Sequence, residues 1–153
     1  MRAPVRTATN AALGWSAGIA ALALAPLVLA LIVQARLPDR IVVHWGLFGE
    51  PSPPAGRGFL FVLPAVSLLV LGALIFSAYR GRAVVAAAGI WYWLFAGAVG
   101  LLLFGAEAYI VLWNLGRPFA LQIVFVPLLA ILFALTGELC VRVPPNRFIG
   151  VRT

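Results

Sequence analysis

Four long apolar runs, separated by polar segments of very unequal length, set the pattern of the chain. Ala11 to Gln34 carries no charge. Phe59 to Tyr79 holds only Ser67 and Ser77 as small polar side chains. Ala83 to Trp113 is interrupted by a single acid, Glu107. Pro118 to Val141 contains Gln122, Thr136 and Glu138. A helix needs about 20 predominantly apolar residues to cross a hydrocarbon core of roughly 30 Å. Each run meets that length, which predicts an all-α, polytopic integral membrane domain over 1–153. Its spans fall at about 11–34, 59–79, 83–113 and 118–141, with a loop at 35–58 and a tail at 142–153.

The connections sharpen this reading. Arg80-Gly81-Arg82 is so short that the second and third spans must form an antiparallel hairpin. The chain is then two helical hairpins in series. The third run is longer than a bilayer requires and is expected to tilt or project. Pro26 and Pro127 each remove a helical hydrogen bond and predict bends. Gly14 and Gly18 make a GxxxG pair that can admit a second helix, although so Ala- and Gly-rich a segment produces one by chance more often than not. Val33-Gln34-Ala35 resembles a leader cleavage site, but the run before it exceeds the usual 7–15 residues of a leader's apolar core. An uncleaved anchor is the better reading. Tyr109 and Trp113 are spaced for an interfacial belt, while Trp91, Tyr92 and Trp93 sit deeper and are read as packing.

Composition agrees: 64% of residues are hydrophobic and the mean hydropathy is +1.10. The net charge of +7 does not argue for nucleic acid. All 11 basic residues are arginines placed between or beside apolar runs, where they set topology and meet lipid headgroups. The N-terminus, the Arg80/Arg82 turn and the tail hold more of them than the other two connections do. Both termini are therefore expected in the cytoplasm and the 35–58 loop outside. Cys140 is the one cysteine, so an intrachain disulfide is impossible. It reads as a buried, inert thiol.

Candidate chemistry concentrates in Leu37 to Gly58. This stretch has the only histidine, His44, two of the four acids, Asp39 and Glu50, and four of the 11 prolines. Its prolines and glycines predict a stiff external cap over the helices rather than a floppy linker. His44 can be a metal ligand, a loop-ordering group or a binding contact. With only Glu50 and Asp39 beside it, the ligand set is thin for a metal. Glu107 is costly inside a membrane unless paired, and Arg117, Arg36 or Arg40 are the expected partners. A proton- or ligand-coupled role is the alternative. Glu138 and Arg142 have the favourable i,i+4 order for an ion pair. A binding site on the loop would be shared with Glu107 and the Asn114 turn on the same outer face. Recognised enzyme motifs are absent, and the chain has no lysine for a Ser-Lys dyad. No catalytic residue, metal or cofactor is expected.

Two segments carry a resemblance. LPDRIVVHWGLFGEPSPPAGRG, through Leu37, Pro38, His44, Trp45, Gly49, Glu50 and Pro51, resembles the signature of an uncharacterised membrane domain at the N-terminus of SdpI-like proteins. PPNRFIGVRT, through Pro145, Asn146, Gly150, Arg152 and Thr153, is similar to the start of that family's second motif. SdpI-like chains continue past this motif into further spanning helices, whereas this sequence stops at Thr153. The resemblance implies a non-enzymatic protein of the bacterial cell membrane that gives immunity to a secreted membrane-active toxin peptide and signals to a cytoplasmic repressor. The implied binding residues are His44, Trp45 and Glu50 outside and Asn146, Gly150 and Arg152 inside. Two other readings stay open. One is a small dimeric proton-coupled exporter using Glu107. The other is an accessory subunit of a membrane complex. Partners common to these readings are the lipid bilayer and, where a dimer is needed, a second copy of the chain.

Overall fold

The computed structural model describes residues 4–46, 50–117 and 119–143. Helix α1 spans Pro4–Val33 and a 3-10 turn follows at Gln34–Arg36. Two short strands, β1 (Arg40–Ile41) and β2 (Ala55–Gly56), precede a 3-10 turn at Arg57–Phe61. Then come α2 (Val62–Arg80), α3 (Arg82–Ala88), α4 (Ile90–Asn114) and α5 (Leu121–Arg142). Helices α1, α2, α4 and α5 are long and apolar enough to cross a membrane. The chain is thus an all-α, multi-pass membrane protein whose longest connection carries a small β-ribbon.

The stretch expected as one helix over 83–113 is divided. Gly89 takes φ +59° and ψ −135°, a backbone conformation open to glycine, and its N–H closes α3 on the Val85 carbonyl at 2.7 Å. The chain then restarts as α4, whose 25 residues span about 37 Å at 1.5 Å per residue. At the other end, Gly116 has φ +72°. Its N–H reaches the Trp113 carbonyl at 3.0 Å and the Arg117 N–H reaches Leu112 at 2.9 Å. These two bonds form the glycine-terminated helix stop that satisfies the last carbonyls of α4. Neither Pro26 nor Pro127 ends its helix.

Helix α4 is the centre of the bundle, packed against α1, α2 and α5. Gly100 allows the closest approach. A Cβ there would lie 3.1 Å from Leu22 Cβ on α1 and 3.2 Å from Leu71 Cδ1 on α2. Nothing lies within 4 Å of such an atom at Gly14 or Gly18, so the GxxxG pair packs no helix among the described residues. Helix α5 rests on α4 along one side, with a smaller contact to α3. Most of its surface is open, Cys140 included. That thiol is exposed, contrary to the buried position expected for it.

Two apolar clusters hold the helices together. One, toward the α2–α3 end, is built on Ile19, Ala23, Leu71, Tyr92, Trp93 and Ala96. The other joins Ala30, Val33, Ile110 and Val111 to Leu37, Ile41 and Leu60. The second cluster anchors the ribbon, because Ile41 is wholly buried although it belongs to the connection rather than to a helix. Glu138 and Arg142 form the expected i,i+4 pair at 2.6 Å. The Arg142 guanidinium also lies over the Trp91 ring, 5.2 Å from its centroid.

Candidate functional site

The polar connection is one antiparallel hairpin in a single register. Arg57 N–H donates to the Asp39 carbonyl at 2.9 Å, and Arg40 and Ile41 face Gly56 and Ala55. Ser52 N–H donates to His44 at 3.1 Å, Trp45 bridges Pro51, and Gly46 N–H donates to Glu50 at 2.9 Å. The ladder itself is confined to 40–41 with 55–56, and the Trp45–Pro51 bridge keeps the same register further out. The prolines are compatible with this because a two-stranded ribbon has outer edges where a missing N–H leaves no ladder bond unmade. At the base, the Arg57 guanidinium pairs with the Asp39 carboxylate and reaches the Pro38 carbonyl at 3.3 Å. Asp39 is almost fully exposed, so this pair adds little stability.

Two features seat the ribbon on the bundle. The Asn114 side chain, at the end of α4, accepts from Val42 N–H at 2.8 Å and donates to the Val42 carbonyl at 2.8 Å. It thereby stands where a neighbouring strand would be and closes that edge. The Trp45 ring lies edge-on to Tyr109, 4.6 Å between centroids, and to Trp113, at 5.3 Å. Tyr109 in turn meets Phe119 at 5.1 Å. Tyr109 is only 5% exposed, so this pair of α4 aromatics is a platform for Trp45 rather than the expected interfacial belt.

Between the ribbon and helices α4 and α5 lies a cavity of about 490 Å³. His44, Trp45 and Gly46 form one wall, and Ala106, Tyr109 and Ile110 another. Phe119 contributes from the segment before α5, and Gln122 and Phe125 from its first turns. The lining is mainly apolar and aromatic, with His44 and Gln122 as polar points. The Trp45 Nε1–H is buried and has no acceptor among the described residues.

The expected site residues do not all converge. His44 and Trp45 line the cavity. Glu50 sits at the far end of the hairpin, its carboxylate folded against Gly46 so closely that a Cβ there would collide with it. Glu107 is elsewhere. It is wholly buried in α4, does not line the cavity, and forms no ion pair with Arg36, Arg40 or Arg117. Both of its carboxylate oxygens lack a partner among the described residues. Counting in helical turns from Gly100 places Glu107 on the same face of α4, two turns along, toward α1 and α2. The three arginines are exposed on the surface, which is why none reaches it. Ser67 of α2 is likewise wholly buried with an unpartnered hydroxyl. Asn146, Gly150 and Arg152 lie outside the described residues. Tyr109, Phe119 and Gln122 were not singled out as binding residues by the sequence. Only the aromatic pair at 109 and 113 gives a sequence signal, and its spacing predicts an interfacial belt.

Helices apolar enough to span a membrane define a multi-pass membrane protein, with a ribbon-covered cavity at one end. A family described as "Domain of unknown function (DUF1648)" matches residues 21–68, a domain found in SdpI-like membrane proteins. The match begins within α1, takes in the whole ribbon and ends in the second turn of α2. It therefore coincides with the ribbon and the helix segments that carry it. No curated protein and no solved structure matches the chain.

Proposed function

We propose that the chain is a non-enzymatic membrane protein of the SdpI-like type, giving immunity to a secreted membrane-active toxin peptide. In this reading it lies in a bacterial cell membrane with both termini in the cytoplasm and the ribbon outside. The observation that carries the reading is the aromatic cavity under the ribbon, with His44 and Gln122 in its lining. A membrane-active peptide presents bulky apolar side chains next to backbone carbonyls. A cavity of this size and lining takes the first, and the Gln122 side-chain amide in its lining can donate to the second. Asn114 closes one ribbon edge and Pro53 and Pro54 lie along the other strand, so the peptide is read as inserting beneath the ribbon rather than extending it as a third strand. Signalling to a cytoplasmic repressor is the second half of the proposal and rests on the tail motif through Asn146, Gly150 and Arg152.

The test is a survival assay. A sensitive bacterium expressing the chain is challenged with secreted membrane-active peptides from the bacterium that encodes it. Protection that is weakened by Gln122→Ala, an exposed residue of the cavity lining, supports the reading. Equal killing with and without the chain, across the peptides that organism secretes, overturns it. One observation favours a second reading, a proton-coupled exporter: Glu107 is wholly buried in the central helix without a partner among the described residues. Efflux driven by a proton gradient and abolished by Glu107→Gln would establish that reading instead.

A further inference from the structure

At the opposite end of the bundle from the ribbon, α2 and α5 both lean on α4, and α3 fills the end between them. The space they leave is an apolar cavity of about 560 Å³. Tyr92 and Phe95 of α4 line it, Val85 of α3 borders it, and Leu139 and Cys140 come from α5. In a membrane such a groove is not left empty, because its lining would forfeit dispersion contacts. The question is whether bulk acyl chains fill it indifferently or one class of lipid is selected.

The polar atoms of the lining answer for the buried part of the ligand. Tyr92 Oη donates to the Leu74 carbonyl at 2.6 Å, and the Ser77 hydroxyl lies 2.5 Å from Tyr92 Oη and 2.9 Å from the same carbonyl. Thr136 donates to Leu132 at 2.7 Å. All three hydroxyls are spent within the protein, so whatever enters the groove meets hydrocarbon and satisfied groups. Its buried part must be a hydrocarbon chain.

The rim answers for the exposed part. Arg80, the last residue of α2, lines the cavity and lies over Phe76 at 5.1 Å. No carboxylate pairs with it among the described residues. Asp39 pairs with Arg57, and Glu138 with Arg142. An unpaired guanidinium at the mouth of a hydrocarbon groove is complementary to a phosphate on an acyl chain. From this we infer that the α2–α5 groove is a binding site for an anionic glycerophospholipid, with its acyl chain against Phe95 and Leu139 and its phosphate on Arg80. The site is separate from the ribbon cavity and does not depend on the immunity reading.

The experiment uses the full chain purified in mild detergent, titrated with phosphatidylglycerol or phosphatidylcholine and read by native mass spectrometry. One arginine near a headgroup is worth about 1 kcal/mol, so the first phosphatidylglycerol should bind about fivefold more tightly than the first phosphatidylcholine. Arg80→Gln should abolish the preference, while Arg117→Gln, an exposed arginine on the ribbon side, should retain it. Val85→Trp, which fills the groove, should weaken the first binding event for both lipids. A second readout needs no variant: maleimide labelling of Cys140, the chain's one cysteine, should slow with phosphatidylglycerol and less with phosphatidylcholine. Equal binding of the two lipids, a preference that survives Arg80→Gln, or Cys140 labelling indifferent to lipid class would each mean annular lipid only and overturn the site.

Discussion

Asn114 grips Val42 by both of its backbone groups, accepting from the N–H and donating to the carbonyl at 2.8 Å each. The same Nδ2 also donates to the Ile110 carbonyl at 2.8 Å. One side chain at the end of α4 thus ties a helix carbonyl to a strand, and the ribbon's position over the cavity depends on it. Asn114→Ala should leave two part-buried backbone groups of Val42 without protein partners, at about 1–3 kcal/mol each where water cannot replace them. The expected outcome is a lower melting temperature and faster hydrogen exchange at the Val42 amide, with exchange in the middle of α4 unchanged. Asn114→Asp keeps the acceptor and removes the donor, so the Val42 amide should stay protected. Unaltered exchange at Val42 in the alanine variant would show that the ribbon is held by other contacts.

The spans were legible because an apolar run with at most one charge, long enough to cross a bilayer, has few other uses. The ribbon was not. Its strands do not alternate apolar and polar residues, since Val42 and Val43 are adjacent on one side and Pro51, Pro53 and Pro54 interrupt the other. The partner that fixes Val42 lies 72 positions away. Gly89 was invisible for a related reason: glycine is common inside membrane helices, and only the tertiary arrangement selects which one breaks. Glu107 was identified as an unusual acid but given the wrong neighbours. Proximity to the end of a run suggested the arginines there, whereas the face of α4 it occupies is the one that carries Gly100.

Trp45 and Gln122 separate packing from recognition. Trp45→Phe retains a ring against Tyr109 and Trp113 but deletes a buried N–H that has no acceptor among the described residues. Removing an unsatisfied buried donor should not destabilise the fold beyond the smaller ring's lost contacts, so the melting temperature should change little. Trp45→Ala removes the aromatic contacts as well and should lower it clearly. Gln122→Ala removes an exposed polar side chain from the cavity lining, and a hydrogen bond donated to a peptide is worth about 0.5–1.5 kcal/mol, so peptide affinity is expected to fall up to about tenfold with the fold intact. Affinity unchanged in the Gln122 variant would take that side chain out of the proposed site.

Gly100 and the Gly14/Gly18 pair test two ideas about small residues. A Cβ at Gly100 falls 3.1–3.2 Å from Leu22 and Leu71, so Gly100→Val should force α1 and α4 apart at about 1–3 kcal/mol. Gly14 and Gly18 face no neighbour within 4 Å. Replacing both with leucine should leave the monomer's melting temperature unchanged. If a second copy packs on that stripe, the same double variant should shift the mass measured by light scattering in detergent from dimer to monomer.

Glu107→Gln distinguishes the two functional readings with one substitution. An ionised carboxylate that is wholly buried without partners is costly, and a neutral isostere of the same shape is commonly neutral or stabilising. The glutamine variant should therefore fold with a melting temperature equal to or above that of the native chain. If the ribbon cavity binds the toxin, Glu107 is not in its lining and protection should persist at wild-type level. If the chain exchanges protons across the membrane, efflux should fall to background while the protein remains folded. Loss of protection in a stable Glu107→Gln variant would move the binding site from the ribbon cavity into the interior between α1, α2 and α4.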